Sequence, residues 1–319
     1  MNLKFPEPYF VDTNGIRMAV YEQGSGPAVI LLHGFPEIAY SWRFQLPALA
    51  QAGYRAIAPD QRGYGQSGRP PNVADYSIQQ LIADTNGLLD ALNLERATFV
   101  GHDWGALLLW QMSLLSPERI ESQVILNIPF HARPPVEPIQ LMRERLGNDF
   151  YIVNFQDSDQ ADRTFAADPV HFFNVMMRKR QVTREQFDQL PPGKKVLNLL
   201  ATMARKQSGG EPLLSDAERD YFANAYTGSG FTGPINWYRN WSHNWASTEG
   251  VKQMVEVPTL FIGAHDDVVV APAHIEAMRR HVADLEVQMI DSCGHWTQQE
   301  QPNRLNELLL GWLGRRINA

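Results

Sequence analysis

The chain has 319 residues, 44% of them hydrophobic and 20% charged, which suits one large α/β domain or two domains sharing a cleft. A net charge of -7 supplies no basic face for phosphate and argues against nucleic acid as a partner. Apolar runs such as Ala28–Leu32 fall far short of the roughly 18 residues of a membrane span, and Met1–Phe10 has no signal-like apolar stretch.

Ile16–Gln23 and Ala28–Leu32 read as strands, the second a buried run that stops at His33-Gly34. Gly24-Ser25-Gly26 between them is a connecting turn, because the third glycine of a nucleotide loop is missing. Arg55–Pro59 is a short strand followed by the turn-rich Asp60-Gln61-Arg62-Gly63-Tyr64-Gly65. Ile78–Leu92 carries a helical apolar face at Ile78, Leu81, Ile82, Leu88, Leu89 and Leu92, with Ser77 as its expected N-cap. Ala97–Val100 is the next strand. Gly101-His102-Asp103-Trp104-Gly105-Ala106 then turns into the apolar helix Leu107–Leu115, and Val124–Ile128 follows as a strand.

From Pro129 to Asn244 strand character is absent. The amphipathic stretches Ile139–Leu146, Phe172–Arg180 and Asp216–Tyr226 are broken by Pro134-Pro135, Pro191-Pro192-Gly193 and Ser208-Gly209-Gly210. Strands return at Thr259–Gly263 and Glu286–Ile290, and Arg304–Trp312 is the last helix. Alternating strands and helices predict a mostly parallel sheet covered on both faces. The expected organisation is a core of residues 1–128 and 245–319, with a helical cap of residues 129–244 inserted between two strands.

The segment around Asp103 is a nucleophile elbow. A turn from strand to helix this tight needs small neighbours, and Gly101, Gly105 and Ala106 supply them. No Gly-x-Ser-x-Gly occurs anywhere in the chain, which disfavours a serine esterase or lipase. Asp at a helix start is most often a simple N-cap; the glycine framing, with the helix dipole favouring the ionised carboxylate, turns the reading toward a nucleophile. A carboxylate that attacks an sp³ carbon becomes an alkyl ester, and water must then attack the carboxyl carbon of Asp103. That second step needs a base and an oxyanion hole.

His295, in Cys293-Gly294-His295-Trp296 after the last strand, is the expected base. Cys293 lies on no elbow and is a poor rival nucleophile. As the single cysteine, it excludes an intrachain disulfide and fits a reducing, cytoplasmic compartment. Asp266 and Asp267 both follow Thr259–Gly263, and either could orient the imidazole. The order nucleophile, acid, histidine is that of the α/β-hydrolase fold. His33-Gly34-Phe35-Pro36 sits where that fold keeps its oxyanion loop, so the N–H groups of Phe35 and Trp104 are the expected oxyanion donors.

These motifs resemble the soluble epoxide hydrolase family of α/β-hydrolases, through His33-Gly34-Phe35-Pro36-Glu37, Ser41-Trp42-Arg43, Asp60–Gly65, Gly101–Ala106, Asn236-Trp237-Tyr238-Arg239-Asn240 and Cys293–Thr297. The resemblance covers essentially the whole chain, the cap being its weakest part. It implies Asp103 as nucleophile, His295 as base and Asp267 as the acid. It also implies two cap tyrosines, Tyr238 and Tyr151, that grip an epoxide oxygen. Phenols with a pKa near roughly 10 stay protonated at neutral pH and can donate to the developing alkoxide. Tyr221 and Tyr226 are read as packing residues. Trp237, Trp241 and Trp245 are read as cap packing plus one pocket wall, the pocket being lined by Phe35, Pro36, Trp104, Trp237 and Trp296.

A haloalkane or haloacid dehalogenase would share the fold and the nucleophile, and Trp104 would suit a halide. Haloalkane dehalogenases, however, often carry Asn where this chain has Phe35, a fluoroacetate-type enzyme resembles His-Asp-Arg at the elbow, and the tyrosine pair favours the epoxide. A silent receptor on the same fold would be expected to have lost a catalytic member, and none is missing. The expectation is an enzyme acting on a small apolar epoxide and water, as a monomer or homodimer, with no cofactor and no metal.

Overall fold

The computed structural model describes residues 5–179, 182–191, 194–205 and 209–317. Eight strands form one sheet: β1 (Tyr9–Thr13), β2 (Ile16–Gln23), β3 (Ala28–Leu32), β4 (Arg55–Pro59), β5 (Ala97–His102), β6 (Ile120–Leu126), β7 (Thr259–Ala264) and β8 (Leu285–Ile290), in the order β1-β2-β4-β3-β5-β6-β7-β8. β2 runs antiparallel to β1 and β4, and every other pairing is parallel. The strand period of two divides the buried residues between two faces. Ile30, Leu32, Phe99, Ile125 and Phe261 join one core with the helices Ile78–Ala91 and Trp104–Leu115. Val29, Leu31, Val100, Val124, Leu126, Leu260 and Ile262 join the other, closed by Leu46, Leu49, Leu305, Leu309 and Trp312 from Gln45–Gln51 and Pro302–Ile317.

Three expectations need correction. The edge strand β1 escapes the hydrophobic pattern because it is half-exposed, though Asn14-Gly15, both at positive φ, is a strong hairpin signal ahead of β2. β6 begins at Ile120, not Val124, and ends at Leu126. Its first half looks polar because Ser122 and Gln123 are buried as hydrogen-bonded groups, Ser122 to Thr98 at 2.9 Å and Gln123 to Thr259 at 3.0 Å. Ser77 stands at the N-cap of Ile78–Ala91, but its side chain caps nothing; the N–H of Ile78 donates instead to Asn244 Oδ1 at 2.9 Å.

Between β6 and β7 the described residues form nine helices and no strand, only isolated bridges of Arg178 with Pro212 and of Val255 with Val282. Arg180, Pro192, Gly193 and Ser208, which figured in the expected helices and breaks, lie outside the described residues. Several bonds join this helical stretch to the sheet domain. Arg43 pairs with Glu218 at 2.7 Å, Trp237 Nε1 donates to the Arg62 carbonyl at 3.0 Å, and Tyr40 stacks on Tyr221 at 4.1 Å. Among the described residues no helix is long and apolar enough to cross a membrane.

Candidate active site

Four loops meet beyond the C-terminal ends of the parallel strands, the usual site position in open α/β sheets. Asp103 closes β5 and precedes the helix Trp104–Leu115, with φ 51° and ψ −118°. A residue with a side chain reaches that conformation only under strain, of order 1–3 kcal/mol. The surroundings enforce it. A Cβ at Gly105 would strike the carbonyl oxygen of Leu32, and one at Gly101 would meet the Gly105 carbonyl. Asp103 accepts no hydrogen bond as a helix cap, so its carboxylate is available for other partners.

The loop after β3 supplies one of them: the Phe35 N–H donates to Asp103 Oδ1 at 2.8 Å. Gly34 makes this approach possible, since a Cβ there would collide with the Asp103 carboxyl. His33 pins the loop through both ring nitrogens, Nδ1 donating to the Gly34 carbonyl at 3.0 Å and Nε2 accepting from the Gln61 N–H at 3.1 Å. That arrangement needs the neutral ring, and burial first of all lowers the His33 pKa. The Trp104 N–H opens the helix, where no intrahelical acceptor exists.

His295, on the loop after β8, places Nε2 3.6 Å from Asp103 Oδ2 and Nδ1 2.7 Å from Asp267 Oδ2. Asp267 Oδ1 accepts the Val269 N–H at 3.0 Å. Asp266 turns elsewhere, accepting the Arg184 N–H at 3.0 Å. Of the two carboxylates that spacing left open, only Asp267 meets the imidazole. Burial works against the imidazolium, but the carboxylates of Asp267 and Asp103 outweigh it and raise the His295 pKa well above its usual value. Burial likewise disfavours ionised Asp103, yet His295 and the Phe35 N–H hold it below the usual carboxylate range. Cys293 is buried against the Gly294 carbonyl and the Thr297 hydroxyl, and burial foremost pushes its thiol to about 12.

From the helical stretch, Tyr151 and Tyr238 bring their rings together at 5.6 Å and 72°. Tyr238 also packs on Phe35 at 5.5 Å and on Trp104 at 5.1 Å. Burial most of all raises both phenol pKa values, and the Asp103 charge adds to the rise in each. Pro36 is buried next to Phe35. Trp237 and Trp241 pack edge to face on Trp104 at 5.5 and 5.3 Å, and Trp296 packs on His295 at 4.8 Å. Trp245 lies apart, donating to the Pro134 carbonyl beneath Arg133. Tyr226 is buried among Phe173, Phe231 and Tyr64. No group of three or more His, Cys, Asp or Glu among the described residues could hold a metal ion.

A family model described as the alpha/beta hydrolase fold matches residues 27–302. Epoxide hydrolase A of Mycobacterium tuberculosis is 40% identical over 316 residues, 97% of either chain. The chain belongs to the epoxide hydrolase family of α/β hydrolases. Within that family, Bifunctional epoxide hydrolase 2 of Sus scrofa is 35% identical over 96% of this chain, which spans 54% of that longer protein. The crystal structure of Epoxide Hydrolase A from Mycobacterium thermoresistibile superposes with a TM-score of 0.85 at 35% identity, covering 97% of this chain and 98% of that one.

Sequence reasoning assigned no role to five residues that tie the site's loops together here. His102 and Glu37 are wholly buried 2.7 Å apart; His102 Nε2 donates to the His295 carbonyl at 2.8 Å, and Glu37 accepts from Gln298 and Gln299 at 2.6 and 2.8 Å. Asn127, at the end of β6 with φ 65°, accepts from Ala264 N–H and donates to the His295 carbonyl and the Thr297 hydroxyl. Glu37 and His102 stood inside motifs already singled out. Asn127 and Gln298 carried no signal beyond being polar.

Proposed function

We propose that the chain opens epoxides to vicinal diols in two covalent steps. Asp103 Oδ2 attacks the less hindered epoxide carbon from the side opposite the C–O bond, and the ring electrons pass to oxygen as that bond breaks. Tyr151 and Tyr238, still protonated at neutral pH, donate to the alkoxide as it forms. Oδ1 remains a carbonyl oxygen held by the Phe35 N–H, and the product is an alkyl ester of Asp103.

Esterification removes the Asp103 charge, one of the two carboxylates that stabilise the imidazolium. The His295 pKa therefore falls when a base is required. His295, oriented by Asp267, takes a proton from water as the water attacks the Asp103 carboxyl carbon. The oxyanion on Oδ1 is met by the N–H groups of Phe35 and Trp104, each such donor being worth about 2.7–4 kcal/mol. Collapse breaks the bond between the carboxyl carbon and Oδ2, the His295 imidazolium returns its proton to that leaving oxygen, and the diol departs with Oδ2 while the water oxygen stays on Asp103.

Residues 129–244 serve as the cap, and Phe35, Pro36, Trp104, Trp237 and Trp296 line an apolar pocket. We read the protein as a cytoplasmic monomer or homodimer, a setting that the free buried thiol of Cys293 suits. What carries the reading is the paired phenols beside an elbow carboxylate. Styrene oxide and a primary haloalkane, offered side by side, test it: diol without halide is expected, and halide release as the faster reaction would replace this reading with a dehalogenase.

A further inference from the structure

The two phenols come from separate short helices, Tyr151–Asp157 and Thr232–Arg239, and each helix is gripped by a side chain of the other. Gln156 Nε2, five residues beyond Tyr151, donates to the carbonyl of Tyr238 at 2.9 Å and to that of Ile152, also at 2.9 Å. Arg239, the residue after Tyr238, answers in the other direction. Its Nε donates to the Phe155 carbonyl at 3.0 Å and Nη2 to the Ser158 carbonyl at 3.0 Å, two carbonyls at the end of the Tyr151 helix. Such carbonyls lack intrahelical partners, and a cation there also suits the helix dipole.

The guanidinium has no freedom left. Nη1 donates to Asp162 Oδ1 at 3.0 Å and Asn236 Oδ1 at 2.9 Å, and Nη2 to Asp162 Oδ2 at 2.6 Å. With the two carbonyls, all five guanidinium N–H groups are engaged. Asp162 is 7% exposed and Arg239 14%, so this fork is shielded from water. The helix carrying Tyr238 is tied to the sheet domain as well, through Asn240 to the Val73 carbonyl at 2.6 Å and Trp237 to Arg62 at 3.0 Å. Without Gln156 and Arg239 the Tyr151 helix would keep its apolar packing but lose its polar register against Tyr238.

We propose that Gln156 and Arg239 are positioning residues that set the spacing and mutual angle of the Tyr151 and Tyr238 hydroxyls for the epoxide oxygen. The inference rests on the reading of both phenols as donors. It locates their precision outside the pocket, in a reciprocal bond pattern between two helices. Two donors converging on one oxygen tolerate little relative displacement, and a misplacement of about 1 Å can cost on the order of 100-fold in rate.

The test separates the two half-reactions in single turnovers, following tryptophan fluorescence and the mass of the Asp103 peptide. Gln156→Met keeps the side-chain length and removes the donor. The alkylation rate constant is expected to fall about tenfold or more, while hydrolysis of the alkyl-enzyme, which uses neither phenol, stays within about twofold. In a Tyr151→Phe background, with one phenol left to place, Gln156→Met should cost little more. Arg239→Lys, which keeps the charge beside Asp162 but not the fork, should give the same split.

An undiminished alkylation constant in both variants overturns the clamp and leaves the functional reading standing. So does an equal fall of both constants, or a full penalty that persists beside Tyr151→Phe. If the unaltered enzyme forms no adduct on Asp103, the reading itself fails and the clamp with it.

Discussion

The backbone N–H of Phe35 donates to Asp103 Oδ1 at 2.8 Å across 68 residues of sequence. The carboxylate therefore meets its proposed oxyanion donor before any substrate arrives, and its two oxygens are already distinguished. Oδ1 belongs to the Phe35 loop, and Oδ2 faces His295 at 3.6 Å.

Gly34→Ala tests that contact. The added Cβ would collide with the Asp103 carboxyl, so loop and carboxylate must separate. Turnover should fall on the order of 100-fold, as for the loss of one oxyanion donor, with the far-ultraviolet circular dichroism unchanged. Turnover within twofold of the parent would mean that the loop is not the oxyanion loop.

His295→Gln should stop the cycle at the ester. In the proposed sequence alkylation needs Asp103 and the phenols, not a neutral base, so the variant is expected to accumulate an adduct on the peptide containing Asp103. Normal turnover without that mass shift would remove His295 from the mechanism. In the unaltered enzyme, one turnover in ¹⁸O-water should leave the label on Asp103; label appearing directly in the first diol would end the covalent scheme.

The half-reactions should respond differently to pH. The Asp103 pKa is held low and both phenol pKa values are raised, so alkylation should be flat from about pH 5 to 9. Hydrolysis needs neutral His295. Its rate should fall as pH drops through the imidazole pKa of the alkyl-enzyme, which Asp267 still raises and esterified Asp103 no longer does. The adduct should thus build up at acid pH and disappear at alkaline pH. Stopped-flow single turnovers check this, and an acid limb on alkylation with none on hydrolysis would reverse the assignment.

Stability can be tested away from the chemistry. Arg62 and Asp84 are a buried pair, 3% and 5% exposed, joined by bonds of 2.5 and 2.6 Å. Asp84→Ala strands the guanidinium and should cost about 3–5 kcal/mol in urea unfolding. A loss below 1 kcal/mol would show that water reaches Arg62 in the folded protein.

Much of this molecule is written locally in the chain. β2, β3 and β4 follow from apolar runs bounded by turn residues, because burial on a sheet selects those residues one at a time. The elbow follows from Gly101, Gly105 and Ala106 around Asp103, because a tight turn is a local steric matter. What the tertiary structure decided is which distant polar groups meet. Asp266 and Asp267 are neighbours with the same chemistry, and only the convergence of the loops after β7 and β8 gives His295 to the second. The buried start of β6 looks polar until Thr98 and Thr259 arrive from adjoining strands. Asn127, the Glu37–His102 pair and the Gln156–Arg239 exchange act only through partners brought close by folding, and hydrogen bonds of that kind leave no period in a sequence. Asp103 could be read as a nucleophile from its neighbours; the meeting of its proposed base, its proposed acid and the two phenols depends on four loops and two helices converging in space.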